Sequence, residues 1–419
     1  MFRWSLPNLF IKTEPVMQKI FLRFDSQENV QKFSERLGYD VSPLKEIAIP
    51  RTRNKVLAKE KKTKPPNKAE WKNHWLEMPD YVQEKKEPHK LLTVWLKNDS
   101  DVRELFAMIS EQKITPKTKS IWYPKLERGT HCRGKAWFSK EDHLPQFPFY
   151  IISKSRPTCI TSRALTKMGV PHKVVIEPID YRAYADSIGE ENLLVLTFSD
   201  LGKGSIPARN WVWNYSKKQG EKWHWILDDN IQDFDHLVRN TKIKVRTPAI
   251  FKAAEDFTLR YENVGQAGFN YHSFCKVTDK IPPYTLNTRI YSCILLRNDL
   301  DFCWRGKYNE DTDLSLRILK SGLCTILFNT FLADKVTTSR MKGGNTDHVY
   351  TDNDQRRKFA ESLEQQHPDL VKVVWKFNRW HHQVDYRPFK EMQLKFKKGV
   401  QPSNSVNDYG MYVGEDHLC

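Results

Sequence analysis

The chain has 419 residues, with 68 Lys and Arg against 51 Asp and Glu, a formal net charge of +17. That length fits two or three domains with real cores, and the charge suits either a phosphate-rich partner, such as nucleic acid or a nucleotide-linked donor, or a solvated basic surface. Seven scattered cysteines without a CxxC pair exclude a zinc knuckle and a disulfide framework.

The N-terminal MFRWSLPNLFIKTEPVMQK is interrupted by charges and shows no small-residue cleavage site, so no signal peptide is expected. No run approaches the roughly 18 apolar residues of a membrane helix, and a reducing cytoplasm is the expected compartment. Two stretches then share a pattern: KIFLRFDSQENVQKFSERLGYDVSPLKEIAIPR (19–51) and KLLTVWLKNDSDVRELFAMISEQKITPKTKSIWYPK (90–125). Each opens with an apolar strand and a Ser-containing polar turn. A helix follows, with Val30, Phe33 and Leu37 on one face in the first copy and Val102, Leu105 and Ile109 in the second. Two such βαβ-like units fit one ferredoxin-like sheet, giving a basic α+β region over residues 1–140. The Lys- and Pro-rich stretch between them carries Trp71 and Trp75. It reads equally as a nucleic-acid arm, lysines on phosphates and tryptophans on bases, or as a linker whose tryptophans dock on the protein.

From residue 141 the pattern becomes strand–helix alternation. The strands FPFYIIS, HKVVIEP, ENLLVLTF and KWHWILDDNI are separated by the helices TSRALTKMG, YRAYADSIG and IPARNWVWNYSKKQG. This predicts a doubly wound, mostly parallel α/β sheet over 141–390, with ligands at the carboxyl ends of its strands. Residues 391–419 read as a loosely held tail.

Those strand ends carry the chemistry. Ser153, Lys154 and Arg156 follow the first strand and Glu177 the second, while Arg209 and Asn210 stand near the start of the helix before the fourth. An Arg at a helix start offers charge and backbone donors to a phosphate; each of these residues alone also reads as surface charge. Asp228, Asp229 and Asn230 end the fourth strand, as a site for a cation on a diphosphate or as an Asp-Asn turn. In YNEDTDLSLRILKSG, Glu310, Asp311 and Asp313 open an apolar-faced helix. A carboxylate there can cap the helix and act as a general base. TSRMKGGNTDHVY, with Lys342, reads as a loop closing over a diphosphate or as an ordinary surface loop.

Taken in order, SKSRPTC, VVIEP, ARNW, HWILDDNI, NTRIYSC, WRGKYNEDTDLSLRILKSG and MKGGN resemble the TET-associated glycosyltransferases over about residues 147–390. The resemblance implies a GT-A-type, Rossmann-like fold. It implies transfer of a sugar from a nucleotide sugar, expected to be UDP-linked, to the hydroxyl of 5-hydroxymethylcytosine or a similar pyrimidine in double-stranded DNA. Such enzymes are encoded mainly by bacteriophages, whose modified genomes resist host nucleases; the compartment would be the host cytoplasm. By the same resemblance Asp228, Asp229 and Asn230 occupy the DxD position, and Asp311, with Glu310 beside it, that of the base. Ser153, Arg156, Glu177, Arg209 and Lys342 would face the donor.

Two features depart from the family pattern. Asn230 replaces an Asp, and FLADKVTTS stands where a metal-binding His is common. Either Asp334 joins Asp229 and Asn230 on Mn²⁺ or Mg²⁺, or Lys335 neutralises the diphosphate without a metal. His381 and His382 are later metal candidates or a structural pair. Trp304 and Arg305, with Trp71 and Trp75, are the candidates for holding the DNA and its base. The alternatives are a transferase for a glycan or protein acceptor, and a non-catalytic DNA-binding protein on a transferase fold.

Overall fold

The computed structural model describes residues 18–49, 70–84, 87–109, 112–125, 134–141, 143–199, 204–306, 309–336 and 353–417. The chain divides into two units, residues 1–65 with 85–128, and residues 66–84 with 129–419.

In the first unit both repeats fold as strand, helix, strand. They are β1 (Gln18–Phe24), α1 (Gln27–Leu37) and β2 (Glu46–Ile49), then β3 (Lys90–Leu96), α2 (Asp99–Met108) and β4 (Ser120–Tyr123). Their strands interleave in one sheet of order β2-β3-β1-β4, with β1 antiparallel to β3 and parallel to β4. The polar turns act as helix caps: the Ser26 hydroxyl accepts from Asn29 N, and the Asn98 side chain accepts from Ser100 N and Asp101 N. Gly38, at φ +77°, closes α1 in the left-handed conformation. Val30, Phe33, Leu105 and Ile109 bury against Ile20, Leu22, Phe24, Leu92 and Val94.

The second unit begins with residues 70–84, and here the nucleic-acid reading of the two tryptophans is corrected. Trp75 is 8% exposed in the core with Met78 and Tyr81. Its indole Nε1 donates to Pro79 O at 2.8 Å, and its ring lies against Phe257 and Tyr284. Trp71 packs partly buried on the same core, edge-on to Tyr81. Large apolar rings gain more from leaving water than from waiting for a base. Both dock on their own unit.

β5 (Lys135–Ser139) precedes the alternation expected from residue 141, which appears as β6 (Phe149–Ile152), α3 (Ile160–Lys167), β7 (Lys173–Ile176), α4 (Tyr181–Ile188), β8 (Leu193–Val195), α5 (Ile206–Lys218) and β9 (Trp223–Asp228). Then come β10 (Ile231–Val238), β11 (Thr241–Val245), α6 (Ala249–Leu259), β12 (Val264–Tyr271), β13 (Tyr284–Leu286), β14 (Cys293–Arg297), α7 (Glu310–Lys320) and β15 (Cys324–Lys335). The chain continues through α8 (Asn353–Gln366), β16 (Val371–Lys376), β17 (Arg379–Val384) and β18 (Met411–Glu415). Twelve strands form one sheet of order β18-β5-β11-β10-β15-β12-β14-β9-β6-β7-β8, with β13 on β15.

The wing β9-β6-β7-β8 is parallel, as is β12 with β15, while β14 runs antiparallel between β9 and β12. This mixture positions the site. Ser153, Glu177 and Asp228 stand at the carboxyl ends of β6, β7 and β9, and Tyr271 and Lys335 at those of β12 and β15. Because β14 runs the other way, Ser292, just before it, reaches the same edge. β12 approaches β14 closely at Gly268, where an added Cβ would lie 2.2 Å from Cys293 O.

The expected loose tail is also corrected. β18 pairs antiparallel with β5, Asp416 holds Arg246 at 3.0 Å, and Tyr409 is buried. Backbone pairing and a buried ion pair tie this segment down. No described helix is long and apolar enough to cross a membrane.

Candidate active site

The strand ends assemble around two neighbouring aspartates. Asp228 receives Arg209 Nη2 on Oδ1 at 2.7 Å, and Lys335 Nζ and the Ser292 hydroxyl on Oδ2 at 2.6 and 2.5 Å. Tyr271 OH lies 2.5 Å from the same Ser292 oxygen. Asp229 faces the β6 side, where Arg156 Nη1 and the Ser153 hydroxyl donate to it, each at 2.9 Å. The turn is pinned from behind by Thr161, which donates to Asp228 O and accepts from Ile231 N.

Burial alone would raise the Asp228 carboxyl; Lys335 and Arg209 outweigh it and hold the group well below the usual carboxylate range. Lys335 is correspondingly held protonated, because Asp228 outweighs the cost of its burial. At Asp229 burial wins over Arg156 and the carboxyl is raised. These two carboxylates are thus engaged by protein cations and hydroxyls. Asn230 turns away, its Nδ2 donating to Val336 O at 3.1 Å.

This donor set does not fit a divalent cation, which would have to displace Lys335 or Arg209 to reach the Asp228 oxygens. Asp334 does not help, since neighbours on a strand point to opposite faces. Lys335 enters the site, whereas Asp334 accepts from Gln232 at 2.8 Å on the other side, near Asp235 and His272, whose ligand atoms lie within 4.8 Å of one another. The proposed metal set Asp229, Asn230 and Asp334 is therefore corrected; Lys335 takes the slot.

Arg209 is the second correction. Expected to face a nucleotide, it is 2% exposed and joins three acids. Beyond Asp228, its Nε lies 3.7 Å from Glu310 Oε1 and its Nη1 3.8 Å from Asp311 Oδ1. Its guanidinium rests 4.7 Å from the Trp304 ring centroid, and Ser205 accepts from Nε at 3.2 Å. Trp304, 1% exposed, is the floor under this arginine and cannot stack on a base. Asn210 clamps it, donating to Trp304 O and accepting from Trp304 N.

Glu310 and Asp311 open α7, but neither caps it. Asn309 stands at the N-cap in the left-handed region, φ +63°, without a side-chain cap bond, so the capping expectation is not met. The helix dipole still favours negative charge here. Asp311 Oδ1 is buried and, among the described residues, has no hydrogen-bond partner; the same holds for Arg209 Nη1 facing it. The Asp311 side chain keeps 16% of its surface open. Burial pushes its carboxyl up to about 8; Arg209 opposes this, and Glu310 and Asp228 add to it. Two residues on, Asp313 does something different. It binds Arg305, Arg317 and His367 at 3.0, 2.8 and 2.9 Å, and these partners overcome burial to bring it down to about 2. Arg305, expected on DNA, is thus half of a structural ion pair.

Glu177 pairs with Lys154 at 3.1 Å at the same sheet edge. Lys342 lies outside the described residues. Sequence reasoning gave no role to Ser292, Tyr271 or Tyr291, whose ring stacks on Tyr271 and whose hydroxyl lies 3.3 Å from Thr312. Only the motif NTRIYSC pointed at two of them.

Residues 147–344 match the family model described as TET-Associated Glycosyltransferase. No curated protein matches the chain. Among solved structures, one from Desulfovibrio desulfuricans G20, assigned to the nucleotide-diphospho-sugar transferases, covers 44% of this chain and 80% of its own at 10% identity. Its TM-score is 0.29, too low to decide anything about the fold. Every side chain of the cluster around Asp228 and Asp311 lies inside the matched stretch, and over residues 147–344 the chain is similar to the TET-associated glycosyltransferases.

Proposed function

We propose that this glycosyltransferase moves a sugar from a nucleoside-diphosphate donor to the hydroxyl of a 5-hydroxymethylpyrimidine, most simply 5-hydroxymethylcytosine, in DNA. The observation that carries the chemical half of this reading is Asp311: a buried, partly open carboxyl raised to about 8, facing an unpartnered edge of Arg209. A carboxylate of that basicity takes a proton from an alcohol far better than an ordinary one. The acceptor hydroxyl approaches the open edge of Asp311, gives up its proton as its oxygen attacks the anomeric carbon, and the diphosphate leaves.

Negative charge grows on that diphosphate, and the Lys335 ammonium is the protein's counter-charge. Arg156 and Lys154, at the same sheet edge, extend it. The GT-A likeness of the strand-end placement and the +17 charge favour a nucleotide donor and a polyanionic acceptor. The test is to incubate the protein with hydroxymethylated and with unmodified duplex DNA and a panel of nucleotide sugars, UDP-linked ones included, then identify the nucleosides by mass spectrometry. A glycosylated hydroxymethylpyrimidine in the first DNA alone is expected. Transfer to a glycan or protein with none to DNA would overturn the acceptor.

A further inference from the structure

The segment after the active-site helix carries exposed aromatics that the transfer chemistry does not use. β16 and β17 form an antiparallel hairpin in which Trp375 faces Trp380 and Lys376 faces Arg379. The connecting turn is Phe377-Asn378, at φ +54° and +56°. A two-residue turn with both residues at positive φ favours Asn and Gly; a phenylalanine there is strained. That strained Phe377 is 82% exposed, and Trp375 behind it is 51% exposed. Leaving such rings in water at the tip of a projection is unfavourable unless something covers them.

The charge around the tip points to what covers it. Side chains alternate along each strand, so Lys372, Lys376, Arg379, His381 and Gln383 share one face. Phe377 leans to the same face, its ring 6.0 Å from that of His381. Residues 371–384 contain no Asp or Glu. Burial, then Arg379 and Arg356, lower the His381 imidazole, as expected where positive potential is concentrated. The opposite face, which carries Trp375 and Trp380, is partly occupied: Arg357 lies over Trp380 at 5.1 Å. At the foot, Val371 packs with Leu316 and Leu319 of α7, the helix that begins with Glu310 and Asp311.

We propose that this hairpin is a duplex-DNA contact, its Lys372–Lys376–Arg379 face lying along phosphates and Phe377 entering the base stack as a wedge that frees the acceptor pyrimidine. The proposal rests on the DNA-acceptor reading above. A two-stranded ribbon fits the major groove, and apolar wedges between base steps unstack them. A base whose hydroxyl must reach a buried carboxylate has to leave the helix, which costs a few kcal/mol that a wedge offsets.

The test uses the full chain and a duplex carrying 5-hydroxymethylcytosine next to 2-aminopurine, without donor. Wild-type protein raises the 2-aminopurine fluorescence; Phe377→Ala loses most of that rise, and Phe377→Trp restores it. Sugar transfer by Phe377→Ala falls about 10-fold or more on the duplex and stays near wild type on the corresponding single strand. Lys376→Ala with Arg379→Ala lowers the slope of log affinity against log salt by about 2. Phe377→Ala that unstacks and modifies the duplex like wild type overturns the wedge while leaving the DNA reading intact. Wild-type protein that binds no duplex overturns both.

Discussion

Burial raises both the Asp228 and the Asp311 carboxyl, and only Asp228 has Lys335 and Arg209 bonded to its oxygens to bring it down. Asp228 has both cations against its oxygens and stays ionised, whereas Asp311 faces Arg209 at 3.8 Å with Glu310 behind it. This division sets opposite consequences for function and stability. Asp311→Asn is expected to lower transfer by about 1,000-fold or more while donor affinity, read by calorimetry, survives. The same substitution should stabilise the protein. A carboxyl raised to about 8 holds a proton in the folded state that the unfolded chain releases, so its contribution falls as pH rises from the ordinary carboxylate range through about 8. In thermal melts at pH 8 the variant should gain about 1 kcal/mol or more, a difference that closes toward pH 4. Lys335→Met should cut donor affinity at least about 10-fold. Wild-type turnover should survive EDTA; loss of activity restored by Mn²⁺ would contradict the assignment of the counter-charge to Lys335. The aspartates and Glu310 stood out in the sequence only alongside the other ordered motifs, because an acid at a strand or helix end also reads as a turn or a cap. Arg209 was legible as charged but not as buried, since its partners lie on three elements far apart along the chain.

α7 separates chemistry from support within one acidic cluster. Glu310 and Asp311 face Arg209, and Asp313, on the next part of the turn, binds Arg305, Arg317 and His367. Asp313→Ala removes the carboxylate from the buried His367 and the partly buried Arg317 and should destabilise by about 3 kcal/mol in urea melts. Its stabilising contribution is present above the ordinary carboxylate range and is lost as pH falls toward about 2. An unchanged unfolding midpoint at pH 7 would show that the ion pairs are not formed. Strand–helix alternation was readable from period and punctuation, because Gly169, Gly189 and Gly220 follow helices that end where predicted. The antiparallel insertion of β14 was not, since a short apolar run carries no direction. That reversal is what brings Ser292 to Asp228.

The two units are interleaved in sequence, and this changes what a truncation means. Removing residues 1–140 takes away Trp71, Trp75, Met78 and Tyr81 from the core of the second unit, together with β5. Such a truncation should therefore lower the melting temperature of the transferase by several degrees or prevent folding. Excising residues 1–65 and joining 84 to 129 in place of 85–128 spares that core and isolates the contribution of the first unit to DNA affinity and its salt slope. Sequence reading left docking and base stacking equal for these tryptophans, because Lys- and Pro-rich surroundings look the same around a docked ring and a stacking one. The central claim, that Asp311 accepts the proton of the attacking hydroxyl, is tested most directly by the pH dependence of kcat/KM on hydroxymethylated DNA. A rise through an apparent pKa of about 8, absent from the residual activity of Asp311→Asn, is the predicted result. A profile flat from about pH 5 to 9, or normal turnover by the variant, would contradict it.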